Sequence, residues 1–187
     1  MTLNLTNHDP AVGATLAATG GALPVWTDTL SVGVDVIDED HQAFFRIAEL
    51  LHVVLGDGEL AQDSLIESVL NVLGEYVIGH FWREESALLR TGYAAFPDHA
   101  TGHRAFGEEL ANIRLAYQKG DKSAAQILPK LVSNWIYKHI LVEDVQYKGY
   151  LTNQTVDDRP LVYLAAEVIP PLSDEPGYPV SISSPSD

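Results

Sequence analysis

The sequence predicts an all-α protein, an antiparallel up-down-up-down four-helix bundle with an extended N-terminal arm and a C-terminal tail. Three observations carry that expectation. Four stretches repeat apolar residues at intervals of three and four, the spacing of one helix face. The connections between them are short, which favours antiparallel neighbours. Each stretch also carries one histidine or one closely spaced pair of metal-binding residue types, so a shared point would draw all four helices together.

A chain of 187 residues fits one domain with extensions, and a core of roughly 100–150 residues buries enough surface to stand without staples. The expected organisation is a disordered leader over 1–23, a bundle over 24–151, and an acidic Pro/Ser-rich tail over 152–187, partly docked or disordered. The leader is rich in Thr, Ala, Gly and Asn and has no helical or strand period. VWTDTLSVGVDVIDED then alternates apolar and polar residues, as an extended arm would. It ends in Asp38, Glu39 and Asp40, good chemistry for a helix start.

The first helix is expected over roughly 39–56, with Phe44, Ile47, Ala48, Leu51 and Leu55 on one face, stopped by Gly56-Asp57-Gly58. The second spans roughly 61–90, with Leu65, Ile66, Val69, Leu73, Tyr76 and Val77 inward. The third runs from about Pro97, a fitting first helical residue, to Gly120. The fourth follows Asp121 and reaches about Leu151; Pro129 within it either kinks the helix or marks its true start. Asp157-Asp158-Arg159-Pro160 then breaks the pattern before the short apolar run LVYLAAEVI.

Composition narrows the chemistry. With no cysteine, disulfides, thiolate metal sites and cysteine nucleophiles are excluded, and any metal must sit on nitrogen and oxygen. The net charge of −15 is concentrated at the two ends: residues 1–45 hold six acids and no base, and 155–187 hold six acids against Arg159. Such a surface repels phosphate backbones and anionic lipid, so no nucleic-acid partner is expected. No apolar run reaches the ~18–20 residues of a membrane span, and the start lacks the basic segment of a signal peptide. A cytoplasmic location is the expectation.

Seven histidines occur. His41 opens the first helix, His80 and Glu84 stand four apart on the second, and His99 and His103 four apart on the third. His139 and Asp144 stand five apart on the fourth. Residues at i and i+4 share a helix face about 6 Å apart along the axis, so each such pair can reach one metal or two adjacent ones. A five-residue step turns about 140°, which puts Asp144 off the face of His139. Phe81, Leu88, Phe106, Trp135, Ile136 and Ile140 lie around these residues at helical spacing, so the polar groups project into an apolar interior. Buried there without partners they would cost several kcal/mol each; a metal pair removes that cost. His8 and His52 fall outside the pattern.

These residues and their neighbours resemble the hemerythrin family, in particular its single-domain bacterial members. The matching strings are WTDTLSVGVDVIDEDH ending at His41, HFWREE from His80, YAAFPDHATGHRAF around His99 and His103, and WIYKHILVEDVQY around His139. The resemblance covers roughly 25–151. It implies a non-haem centre of two Fe ions with an oxo or hydroxo bridge and O2 as ligand. His99, His103 and His139 would saturate one iron, His41 and His80 would hold the other with one position open, and Glu84 and Asp144 would bridge. Trp135, Ile136 and Ile140 are the expected wall of the O2 pocket.

On this reading the chain reversibly binds O2 for transport, storage or delivery and is not an enzyme. The alternatives are an O2 sensor acting on a protein partner through its termini, with the acidic tail as contact, or a di-iron enzyme acting on peroxide, nitric oxide or ferrous iron.

Overall fold

The computed structural model describes residues 23–56 and 63–168, and these form an all-α fold. The expected leader over 1–23 and the end of the tail lie almost wholly outside the described residues. Four main helices are α1 (Asp35–Gly56), α2 (Asp63–Arg90), α3 (Phe96–Gln118) and α4 (Leu128–Val142), followed by a short α5 (Leu161–Val168). α1 packs on α2 and on α4, α2 packs on α3, and α5 lies against α2. No helix among the described residues is long and apolar enough to cross a membrane.

α1 begins at Asp35, about one turn before the expected start. The alternation in VGVDVID reads as extended, but Val34 and Ile37 are three apart and both buried, a helical pair. The chain before them makes a 3-10 turn at Asp28–Leu30. Asp38 holds the entry by accepting from the Val32 amide at 2.8 Å and from Ser31 Oγ at 2.5 Å. Asn153, 118 residues further along the chain, closes it: the Asp35 amide donates to Asn153 Oδ1 at 2.8 Å, and Asn153 Nδ2 donates to Asp35 Oδ2 at 2.9 Å.

In α2 the inward stripe is Ile66, Val69, Leu70, Leu73 and Val77. Leu65, expected on that face, is exposed: it sits about 100° from Ile66 and so off the stripe. α2 ends at a left-handed Gly92 (φ +68°), where the Tyr93 amide returns to the Leu88 carbonyl. Between α3 and α4, Asp121 accepts from the Ser123 amide and opens a 3-10 segment, Lys122–Ile127. Pro129 then stands in the first turn of α4, so it marks the true start of that helix rather than a kink. Leu51, Leu73, Leu88, Leu128 and Ile136 are fully buried between the helices, each worth about 1.5–3 kcal/mol of transfer free energy.

The fourth helix ends sooner than expected. It stops at Val142, and a separate 3-10 turn, Asp144–Tyr147, follows. Side chains three apart in a 3-10 turn lie over one another, so Asp144 and Tyr147 enter the interior together, both without exposed surface.

Candidate metal centre

His41 on α1, His80 and Glu84 on α2, His99 and His103 on α3, His139 on α4 and Asp144 just beyond it are all buried, and all seven side chains meet at one level of the bundle. The ring Nε2 atoms point inward. Glu84 Oε2 lies 3.3 Å from His99, 3.4 Å from His103 and 3.7 Å from His80, while Glu84 Oε1 lies 3.7 Å from His41. Asp144 Oδ2 is 3.3 Å from His41, and its Oδ1 is 3.0 Å from His139 and 3.8 Å from His99. Two clusters of donor atoms result: His41, His80 and Glu84 on one side, and Glu84, His99, His103 and His139 on the other. His52 is exposed and away from both.

The five-residue step from His139 to Asp144 ceases to be an obstacle, because Asp144 does not ride on the helix. The backbone leaves α4 at Glu143, and the turn carries the carboxylate in among the rings.

Three of the outer ring nitrogens face acids that the sequence pattern gave no part in the site, two of them in hydrogen bonds, those of His80 and His103. Asp40 Oδ2 is 3.3 Å from His80 Nδ1, Glu85 Oε1 is 2.9 Å from His103 Nδ1, and Glu143 Oε2 is 3.2 Å from His139 Nδ1. Each carboxylate favours the tautomer that carries its proton outward and leaves Nε2 free to face a cation. Tyr147 donates its hydroxyl to Glu84 Oε1 at 2.5 Å. The signal for these acids is adjacency: Asp40 precedes His41, Glu85 follows Glu84, and Glu143 precedes Asp144.

Burial and mutual charge set the proton affinities. Burial pulls His139 down, but Asp144, Glu143 and Glu84 outweigh it and raise it to about 10. His41 is raised to about 9 in the same way, Asp144 and Glu84 overcoming burial. Burial pushes Glu84 up, and the four histidines around it hold it well below the usual carboxylate range. Asp144 is likewise held low, by His139 and His41 against burial and the Glu84 charge. His103 is lowered, mainly by burial. Burial beside Asp144 and Glu84 raises Tyr147, which keeps its proton and stays a donor.

These residues fit a pair of cations. His41 Nε2, His80 Nε2 and both Asp144 oxygens are buried polar atoms with no hydrogen-bond partner, aimed into the cluster. Buried groups of this kind are rarely left unsatisfied. His103 Nε2 and His139 Nε2 stand 2.9 Å apart, close for two ring nitrogens unless a proton or a cation lies between them. The donor set is all nitrogen and carboxylate oxygen, which suits iron among the imidazole-preferring metals.

Aromatic rings wall the cluster. Phe81 stacks on His103 at 3.8 Å, and Trp135 stacks between Phe106 at 3.9 Å and His139 at 4.4 Å. Of the three residues expected to line the pocket, Trp135 therefore covers the three-histidine side. Ile136 and Ile140 are both buried on α4. The rings beside the other two histidines, which the sequence did not single out, are Phe44, 5.1 Å from His80, and Trp26, 6.3 Å from His41.

A helical bundle that gathers five imidazoles and two carboxylates at one buried point defines a cation-binding bundle protein. Residues 32–151 match the hemerythrin HHE cation binding domain, and the chain belongs to the hemerythrin family. That family is one of oxygen-binding proteins, not of enzymes. The chain is 31% identical over 126 residues to a bacteriohemerythrin of Stenotrophomonas maltophilia, covering 67% of this chain and 80% of the relative. It is 32% identical over 127 residues to a bacteriohemerythrin of Clostridium acetobutylicum, covering 66% and 97%. A myohemerythrin of Riftia pachyptila is 24% identical over 127 residues, covering 68% and 92%. No solved structure matches the chain at a significant level.

Proposed function

We propose that the centre holds two iron ions and that the chain binds O2 reversibly, for its transport, storage or delivery. The observation that carries this reading is the sharing of Glu84 between two clusters of donor atoms, with Asp144 reaching from His41 to His139. His41 and His80 would hold one ion, His99, His103 and His139 the other, and the two carboxylates would lie between. Three histidines on one side and two on the other leave the His41/His80 ion with fewer protein donors, and so with room for a ligand.

When bound, the iron pair supplies the electrons that let O2 bind reversibly. The chain does the rest. Five neutral imidazoles stabilise highly oxidised iron less than a carboxylate-rich set does, which favours reversible binding over oxidation chemistry. Asp40, Glu85 and Glu143 orient rings from outside. Tyr147 holds Glu84 by a hydrogen bond from a hydroxyl that keeps its proton. Trp135, Ile136 and Ile140, with Phe44 and Trp26, exclude water and with it the protons that would drive irreversible oxidation.

Reversibility is the test. Iron-loaded protein is reduced without oxygen, exposed to O2, and swept with argon while its visible spectrum is followed. A spectrum that forms and is lost over repeated cycles supports the reading. Sustained O2 consumption with added reductant, at rates above those of free iron, would replace it with an oxidase.

A further inference from the structure

Arg83 heads the fully buried side chains among the described residues in volume, and it joins the metal centre to a part of the chain outside the family match. It lies on α2 between His80 and Glu84, three residues after His80 and so on a neighbouring face of the helix. One amino group of its guanidinium donates to Asp40 Oδ2, the same oxygen that stands 3.3 Å from His80 Nδ1. Its Nε donates to the Asp157 carbonyl at 2.8 Å, and its other amino group donates to the Arg159 carbonyl. The family match ends at residue 151, so both carbonyls belong to the extension beyond it.

That extension is fastened along α2. Arg90 donates to the Thr155 carbonyl at 3.0 Å, and α5 packs on the helix. The approach is tight at Gly79, where a Cβ would stand 2.6 Å from the Leu161 carbonyl oxygen. One helix thus presents His80 and Glu84 to the centre and carries residues 155–168 on a neighbouring face. The Arg83 guanidinium is the link between them.

We propose that Arg83 is a positioning residue through which the extension sets how firmly His80 holds its metal ion. The inference rests on the two-ion reading above. A carboxylate on the outer nitrogen of a ligating histidine fixes its tautomer and ring orientation. Asp40 is almost wholly buried, and a buried carboxylate needs a partner to stay in place. Arg83 is that partner, and the planar fork of an arginine meets Asp40 and two backbone carbonyls with three separate nitrogens, where a lysine would offer all its donors from one. Loosening the extension removes two of the three anchors that aim the guanidinium at Asp40. The effect is one-sided, because Glu85 and Glu143, on His103 and His139, pair with no arginine or lysine among the described residues.

The test follows iron release from the full-length, iron-loaded protein into a ferrous chelator without oxygen, with amide hydrogen exchange of residues 155–168 measured in parallel. Two variants touch different atoms. R83M removes the link. G79A drives a methyl group against the Leu161 carbonyl while leaving Arg83, Asp40 and every proposed ligand in place, and alanine favours the helix over glycine. In both, one iron per chain is expected to leave roughly 10- to 100-fold faster than in the parent, the other at the parent rate, with faster exchange over 155–168. Should R83M fail to fold, G79A decides alone. Equal acceleration of both ions would make the link a general stability contact, and unchanged release of both would leave His80 independent of the extension; either result overturns the proposal. A parent protein with fewer than two irons per chain would instead remove the reading on which it stands.

Discussion

Asp144 Oδ1 stands 3.0 Å from His139 Nε2, five residues along the chain, because the backbone leaves α4 between them and folds the carboxylate inward in a 3-10 turn. Its other oxygen reaches His41 on the first helix. One short turn therefore ties the start of the bundle to its end across the centre, and metal binding is expected to depend on it.

Substituting either shared carboxylate tests that dependence. Glu84→Ala and Asp144→Ala are each expected to lower iron from about two ions per chain to one or fewer. His52→Ala should retain the full complement, since His52 is exposed and outside the cluster. Elemental analysis after gel filtration reads the result; iron lost from the His52 variant and kept by the other two would reverse the ligand assignment.

Glu85 is hydrogen-bonded to the outer nitrogen of His103, whereas Glu143 stands beside that of His139 as an ion-pair contact. The Glu85 side chain is 10% exposed and 2.9 Å from His103, and that of Glu143 is 36% exposed and 3.2 Å from His139. Glu85→Ala is expected to weaken metal binding by roughly 10- to 100-fold, and Glu143→Ala by less, because water can replace a partly exposed acceptor. Competition against a chelator of known affinity gives the order, which a larger loss for Glu143→Ala would contradict.

The hydroxyl of Tyr147 has one fully buried, charged acceptor, Glu84 Oε1. Tyr147→Phe should cost about 1.5–3 kcal/mol of stability, the range for hydrogen bonds to charged groups. Urea unfolding of variant and parent at pH 7 measures it; a change within error would mean that water or a shifted Glu84 takes over the contact.

The proton affinities predict opposite pH trends for metal-free and metal-loaded protein. His41 and His139 are raised to about 9 and about 10, above the ordinary 6.5. In chelator-treated protein their contribution is fully present below about pH 6.5 and is lost as pH rises through 9 to 10. Glu84 and Asp144, held low, add stability that is present above their ordinary range and lost in acid. Metal ions compete with the histidine protons, so metal binding should release protons and strengthen as pH rises over the same window. Unfolding midpoints measured between pH 6 and 10 should show the loaded form pulling ahead of the metal-free form. A gap that narrows with pH would refute the assignment of His41 and His139 as protonated in the metal-free site.

Much of the centre was legible because α-helical geometry maps i, i+4 directly onto one face: His80 with Glu84 and His99 with His103 needed only that rule. Asp144 did not obey it, and no local signal announced that α4 would stop at Val142. Helix ends are the least readable part of a periodic pattern, which also explains the late start expected for α1, where Val34 and Ile37 looked like alternating strand residues. Asp40 read as helix-start chemistry and proved to be the acceptor on His80. Arg83 was beyond reach for a different reason. Two of its three acceptors are backbone carbonyls 74 and 76 residues away, and a carbonyl has no sequence identity to recognise.

Whether one two-iron centre per chain binds O2 reversibly is read most directly by counting both species in one sample. Reduced, iron-loaded protein is titrated with O2 in a sealed cell, its iron is assayed, and the O2 recovered under argon is measured. About two irons per chain are expected, with about one O2 taken up per iron pair and nearly all of it returned. A single iron per chain, or O2 consumed and not recovered, would contradict that expectation.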